Sequence, residues 1–424
     1  MWQVPNLLKR ARRLLGGAVS TAAGQYREYS ASLPEGFGAQ RITMRLTTPR
    51  LPVRPVFSFS EHVMDEQGRP TDTILAVAKG GFAISRDLGR RWKQVKIKGR
   101  ERQYFEHVKS IGHSEFLVQT SPEKEAKKNK SHVDLLVVTE DGEVLVEHLS
   151  QSYRWHGCRA VDWADGTLMY AEYPSNRPVN GKRPSSARVF RSRDRGRNWE
   201  VVFEQSGAQI RHFHFLQARQ GFAGEWWLTS GDYPHESHVW VSKDDGDSWT
   251  DLTAGLSLKF EVNGTVYERD SLRLTDLVWL GDEVVWGSDD DLATTNPPGA
   301  CVFRSKVGLN LAPQFVGRGM WHFRSIVDIG DYFVLISQRS NRRGATVDER
   351  RPGVYLMRKQ CETGHDAFVH LFDLDTFPSE ARMAGFTFSK ASRMAKNNVF
   401  FSYRSDEDVF DGGPKVLEWR VRLE

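Results

Sequence analysis

The segment Arg211-His212-Phe213-His214-Phe215 is the densest concentration of chemically useful side chains in this chain. Residues two apart on a strand share a face, so His212 and His214 point the same way, with Asp232 not far along the chain. Two imidazoles and a carboxylate suit acid–base work or hydrogen bonding, and the same set can ligate a divalent cation. A lone His-x-His is weak evidence for the latter, and neither a metal nor any other cofactor is expected.

The same locality recurs. Aligned by apolar alternation, FEHVKSIG, HGCRAVDWADG, RHFHFLQARQG, SLRLTDLVWLGD and WHFRSIVDIGD bring His107, Arg159, His214, Arg273 and Arg324 to near-equivalent positions at the start of a strand. Basic groups converging on one axis form an anion trap, because guanidinium forks match carboxylate, sulfate or phosphate. The following strands end in Glu172-Tyr173, Ser230-Gly231-Asp232, Ser288-Asp289-Asp290, Gln338-Arg339 and Tyr403-Arg404, which antiparallel pairing returns to the same rim. Asp232, Asp289, His214 and Tyr403 are therefore the candidate catalytic groups. Arg159, Arg211, His212, Arg273, His322 and Arg324 are the candidate substrate-binding groups. Arginines at strand ends also serve as structural partners of acids and carbonyls, and that reading stands beside the functional one.

The elements that must position these groups announce themselves by repetition. Ser85-x-Asp87-x-Gly89-x-x-Trp92 recurs from Ser192 to Trp199 and from Ser242 to Trp249. A short apolar run precedes each copy, as expected of a strand entering a hairpin. The Asp can accept backbone N–H groups, the Gly can take a positive φ, and the Trp can cover the turn. A degenerate copy at Thr139-Glu140-Asp141-Gly142 makes the intervals from Ser85 to Ser242 run 54, 53 and 50 positions. CVFRSKVG at Ser305, GVYLMRKQ at Met357 and KVLEWRV at Glu418 continue the series. Such a period, with four short strands per repeat, predicts an all-β fold, a β-propeller of seven blades, with six blades and a decorated terminus as the competitor.

The 424 residues are then one propeller over 41–424, preceded at 1–40 by a helix and a linker. Leu7, Leu8, Ala11, Leu14 and Leu15 at helical spacing, with Lys9, Arg10, Arg12 and Arg13 between them, predict a basic amphipathic helix. Such a helix can make peripheral membrane contact through residues 1–16 or pack on the propeller. The next residues, GGAVSTAAG, are too weakly apolar for an ordinary secretory signal, and an atypical one stays open. No run reaches the roughly 18 apolar residues of a membrane-crossing helix. Cys158, Cys361 and Cys301 are scattered, offering neither a zinc site nor a disulfide framework. A cytoplasmic or membrane-peripheral location is expected. The net charge of +5 is modest and dispersed, so no nucleic-acid partner is expected.

With its boxes the chain resembles the Asp-box, or BNR-repeat, propellers of the sialidase-like superfamily. The resemblance implies boxes on outer hairpins away from catalysis, an arginine triad for a substrate carboxylate, a Tyr–Glu nucleophile and an Asp acid/base. The family's early Arg-Ile-Pro signature is missing, and HFRSIVD at His322 is only a distant echo of it. The expected function is a carbohydrate-active propeller, a glycoside hydrolase or polysaccharide lyase, taking an anionic oligo- or polysaccharide in a central Arg/His-lined pocket. The alternative is a noncatalytic propeller binding a glycan or a protein partner, at a membrane surface or elsewhere.

Overall fold

The computed structural model describes residues 18–424 apart from 22–23, 48–60, 66, 68, 79, 104, 121–132, 149–159, 175–185, 232–233, 257, 263–264, 270–271, 289–299, 320–322, 338–352, 361–367, 375–394 and 405–414. The expected N-terminal helix lies outside the described residues. Seven antiparallel sheets of four or five strands follow one another, numbered here as blades 1 to 7, and a separate two-stranded sheet, Leu258–Val262 with Thr265–Arg269, falls between blades 4 and 5 in the chain. Blades 1 to 6 begin with the strands Glu61–Met64, Phe105–Ser110, Val161–Ala164, Phe213–Ala218, Leu274–Leu280 and Phe323–Asp328, and each adds three more strands in chain order. These first strands sit side by side from blade to blade, Val161–Ala164 against Phe213–Ala218 and Leu274–Leu280 against Phe323–Asp328. They form the inner wall of a seven-bladed β-propeller.

Blade 7 is assembled from both ends of the chain. Val399–Arg404 pairs with Lys415–Leu423, which pairs with Arg41–Thr47, then Gly24–Ser32, then Ala18–Thr21. The register runs from Ile42↔Leu423 to Thr47↔Glu418. Gly24–Ser32, within the segment expected to be linker, pairs into this blade, and its Tyr29 and Ala31 are buried in the core between blades 6 and 7.

Three of the second strands, Thr167–Ala171, Trp226–Ser230 and Tyr332–Ser337, are buried at every position. A strand covered on both faces by neighbouring blades must be apolar continuously rather than alternately. Seven apolar clusters result, each drawing its buried residues from two adjacent blades. The seventh, Ile74 and Ala76 against Val399, joins blade 1 to blade 7. Burial of this kind contributes about 25 cal/mol per Å² of apolar surface, and it exists only while both neighbours stay in place.

The three full boxes are one hydrogen-bonded cage built three times. Ser85, Ser192 and Ser242 donate through Oγ to Oδ1 of Asp87, Asp194 and Asp244 at 2.9, 2.8 and 2.8 Å. The same hydroxyls accept the N–H of Gly89, Gly196 and Gly246 at 2.8, 2.7 and 2.7 Å. The indoles of Trp92, Trp199 and Trp249 close each turn by donating to the Gly carbonyl. Hydrogen bonds from the Arg91 side chain and then its N–H hold the Asp87 carboxyl down at about 2. The boxes also clamp blades together. Arg191 reaches the Asp245 carbonyl and Asp247, while Thr167 and Trp226 both donate to the Asp245 carboxylate.

Two expectations follow. Ser192→Ala leaves the buried Gly196 N–H without its acceptor, so chemical denaturation should show a loss of about 1–3 kcal/mol; an unchanged midpoint would contradict the cage. At the closing seam the buried His62 ring places Nε2 3.0 Å from the Val399 carbonyl. Burial pushes its pKa below the ordinary 6.5, against the pull of the Val399 and Thr71 carbonyls. The unfolded chain therefore takes up the proton first, and stability from this group is lost as pH falls through the unfolded value. Between about pH 7.5 and about pH 5.5 the Tm of the wild type should fall further than that of His62→Gln. Parallel losses would remove His62 from the seam.

Candidate functional site

The inner strands of blades 2, 4, 5 and 6 share a local irregularity. Phe105, Phe213, Leu274 and Phe323 pair with Thr120, Ser230, Ser288 and Ser337, one residue bulges, and pairing resumes at His107, Phe215, Asp276 and Ser325. A bulge leaves its extra residue out of the ladder and re-aims it. His214 and Arg324 occupy this bulged position. His107 instead aligns with Asp276, and Arg273 lies one residue before the first pair, like His212. The single register expected for the basic ring thus spreads over three positions within a span of four residues, because alternation in the sequence does not show a bulge.

Of the sequence-predicted residues, Arg211, His212, His214 and Arg273 are brought together where blades 3, 4 and 5 meet. The Tyr173 ring stacks on His212 at 3.6 Å between centroids, with His214 5.1 Å from His212. Both imidazoles are buried, with Nδ1 of His212 3.3 Å from the Pro174 carbonyl and Nδ1 of His214 3.3 Å from the Leu274 carbonyl. Arg324 and Tyr403 lie on the strands Phe323–Asp328 and Val399–Arg404. Arg159, Asp232, Asp289 and His322 lie outside the described residues.

The organising piece is one that sequence reasoning missed. Between the second and third strands of blade 4, the short helical turn Pro234–Glu236 and the following Ser237 receive two arginine backbones. Arg211 donates its N–H to Glu236 Oε2 at 3.1 Å, and Arg273 donates its own to Ser237 Oγ at 2.7 Å. Ser230 donates to the Glu236 carbonyl at 2.6 Å, fixing the turn on its blade. Arg273 is held at a φ of 39°, a conformation that costs a non-glycine residue energy and persists only where its surroundings impose it. No local sequence pattern signals this clamp, since its partners lie 25 and 36 positions apart.

The carboxylates here are committed to structure. Glu172 is fully buried and accepts a bidentate fork from Arg188 at 2.9 Å for each arm, plus the Arg188 N–H at 3.0 Å. That fork raises the Arg188 pKa. Asp162 and Asp276 point along the inner wall and accept the N–H of Ala218 and of Ile326, each one blade onward. Lys109 of blade 2 pairs with Asp162 at 2.9 Å. His238 and Asp251 pair at 2.9 Å, a bond that raises the His238 pKa. Among the described residues no group of three or more His, Cys, Asp or Glu is placed to hold a metal ion.

No protein-family model matches this chain, and no curated protein matches it. Solved structures do. YCF48 from Cyanidioschyzon merolae is similar with a TM-score of 0.51 at 12% identity, over 88% of this chain and 98% of that one. YCF48 bound to a D1 peptide aligns with a TM-score of 0.49 at 11% identity, over 92% and 99% of the two chains. The WD40 propeller domain of Doa1 aligns with a TM-score of 0.44 at 10% identity, over 86% and 96%. The first of these likenesses shows the propeller fold. That likeness does not extend to the narrower sialidase-like assignment drawn from the boxes.

The Glu172–Arg188 pair gives a direct check on the structural role. Arg188→Leu leaves a buried carboxylate uncompensated and should destabilise the fold by about 3 kcal/mol, the lower end for such a pair because Arg188 is partly exposed. Adding Glu172→Gln should restore most of that loss in a double-mutant cycle by denaturant unfolding. A single variant as stable as the wild type would return Glu172 to the list of groups available for chemistry.

Proposed function

We propose that this protein is a noncatalytic propeller that binds an acidic polypeptide segment at the face where the inner strands begin. The observation that carries the reading is the clamp of Arg211 and Arg273. Two guanidinium-bearing residues from adjacent blades are tied by their main chains to consecutive residues of one turn, one of them in a strained conformation. Strain that the surroundings maintain is a mark of a built binding surface. Both arginines are half-buried, which lets a rigid cation meet an anion with less loss of side-chain entropy than a free surface arginine.

Two further points favour binding over turnover. The neighbouring Glu172 is fixed as an ion-pair partner, whereas glycoside cleavage needs two carboxyl groups free to act at the scissile bond. The buried imidazoles rest against main-chain carbonyls, which fixes their orientation. Asp232 and Asp289 remain the groups through which an anionic-glycan enzyme would have to work, so the test must carry that arm too.

Fluorescence anisotropy of the whole protein against acidic, neutral and basic peptides should show binding confined to the acidic set. Arg211→Ala, or Arg273→Asn, which suits the positive φ, should weaken it about tenfold, the value of one charge-assisted hydrogen bond. Uronate-, sialate- and sulfate-containing glycans run in parallel should be neither bound nor cleaved. Turnover of any of these glycans, abolished by Asp232→Asn, would overturn the proposal in favour of the enzyme.

A further inference from the structure

On the opposite face, where the boxes lie, a cavity of about 530 Å³ opens between blades 4 and 5. Its walls come from the first turn of blade 4 (Arg219, Phe222, Glu225), the box residue Lys243, and Asp282 and Val307 of blade 5. Blade 5 carries the worn copy of the box. Counting from Ser305, Val307 stands where the full boxes have Asp, Leu309 where they have Gly, and Ala312 where they have Trp. Ser305 Oγ accepts the Ala312 N–H at 2.9 Å, so the turn is held without a carboxylate. The substitution puts apolar side chains where the other boxes put a charge. Phe222 is 49% exposed and Val307 stands on the facing wall, so the cavity has an apolar side.

The floor carries a more specific signal. Arg219 is only 6% exposed, with its guanidinium 3.7 Å from the Phe222 ring centroid. Nη1 donates to Glu225 Oε1 at 3.1 Å and Nη2 to the Gly281 carbonyl at 2.5 Å. Glu225 is fixed in turn by the Trp227 indole at 2.8 Å. Of its other donors, Nε–H is buried and has no acceptor among the described residues. A buried donor left unmade costs about 1–3 kcal/mol, so a ligand that supplies an acceptor gains that much leverage. Because Glu225 already balances the Arg219 charge, a neutral acceptor suits the site, and the commonest in biology is a peptide carbonyl. Lys243 and Asp282 stand exposed at the rim with opposite charges, which orients whatever lies between them.

We propose that this cavity is a second docking site, for an extended polypeptide segment whose apolar side chain packs on Phe222 and Val307. Its main-chain carbonyl accepts from Arg219 Nε, an acidic flank faces Lys243 and a basic flank faces Asp282. The site lies across the propeller from the Arg211–Arg273 clamp and does not depend on it. With both in use, the protein joins two chains.

The test is panning of a displayed random-peptide library on the whole protein, followed by anisotropy on the enriched peptides. Recovered sequences should carry an apolar residue between an acidic and a basic one. Phe222→Ser should weaken them about tenfold by removing the packing and ring surface, while Arg211→Ala leaves their binding unchanged. Lys243→Glu, a change at an exposed position, should reverse the preference of the acidic flank in a second round of panning. Peptides that bind Phe222→Ser and Lys243→Glu as tightly as the wild type, or a library that yields no peptide sensitive to either change, would overturn the proposal.

Discussion

Pairing of Arg41–Thr47 with Lys415–Leu423 is the constraint on which the rest of this structure depends. A propeller blade has no core of its own. Each apolar cluster belongs to two neighbours, so an open ring would leave one blade face uncovered at either end. Closing through strands from the two ends of the chain turns a row of sheets into a ring in which every blade has both neighbours. The seam is thin among the described residues: Ile74, Ala76 and Val399 supply its buried apolar contact, and His62 its hydrogen bond. Supporting strands Gly24–Ser32 and Ala18–Thr21 widen the closing sheet and cover its edge.

Closure also explains why so many polar groups around the axis are structural. Asp162 and Asp276 bridge from one inner strand to the next, and Lys109 extends the first of these bridges backward by a blade. The boxes perform the same service at the other face through Arg191, Thr167 and Asp245. Charges stitched this way hold register between blades rather than take part in chemistry. Against that background the clamped arginines and the partly unmet Arg219 stand out, the first because Arg273 is held at a positive φ, the second because a donor is left over. They lie on different faces, which suits a scaffold more than a catalyst with one pocket.

What the sequence made legible was local. The box cage closes within eight residues and is built from groups whose roles are set by their own chemistry, so its turn could be read from Ser, Asp, Gly and Trp alone. The blade period needed in addition the apolar runs at Ser305, Met357 and Glu418. Legibility ended where structure depends on distant partners. Arg211 and Arg273 were found as basic residues, but Glu236 and Ser237, which hold them, sit in a loop with nothing to mark it. The inner-strand bulge shifted His107 and Arg273 out of the register that alternation suggested. Gly24–Ser32 went unnoticed because its buried residues, Tyr29 and Ala31, form no aliphatic run, and the box of blade 5 looked like a faded copy although its Val307 lines a cavity.

The central claim is that the strand-start face of this ring receives an acidic polypeptide on the Arg211–Arg273 clamp. Hydrogen–deuterium exchange on the intact protein, with and without a bound acidic peptide, tests it most directly, because the clamp is made of main-chain N–H groups. The account predicts added protection at Arg211–His214, Pro234–Ser237 and Leu272–Leu274, with the outer strands of the blades unchanged. Protection confined to other parts of the ring, or none at saturating peptide, would contradict it.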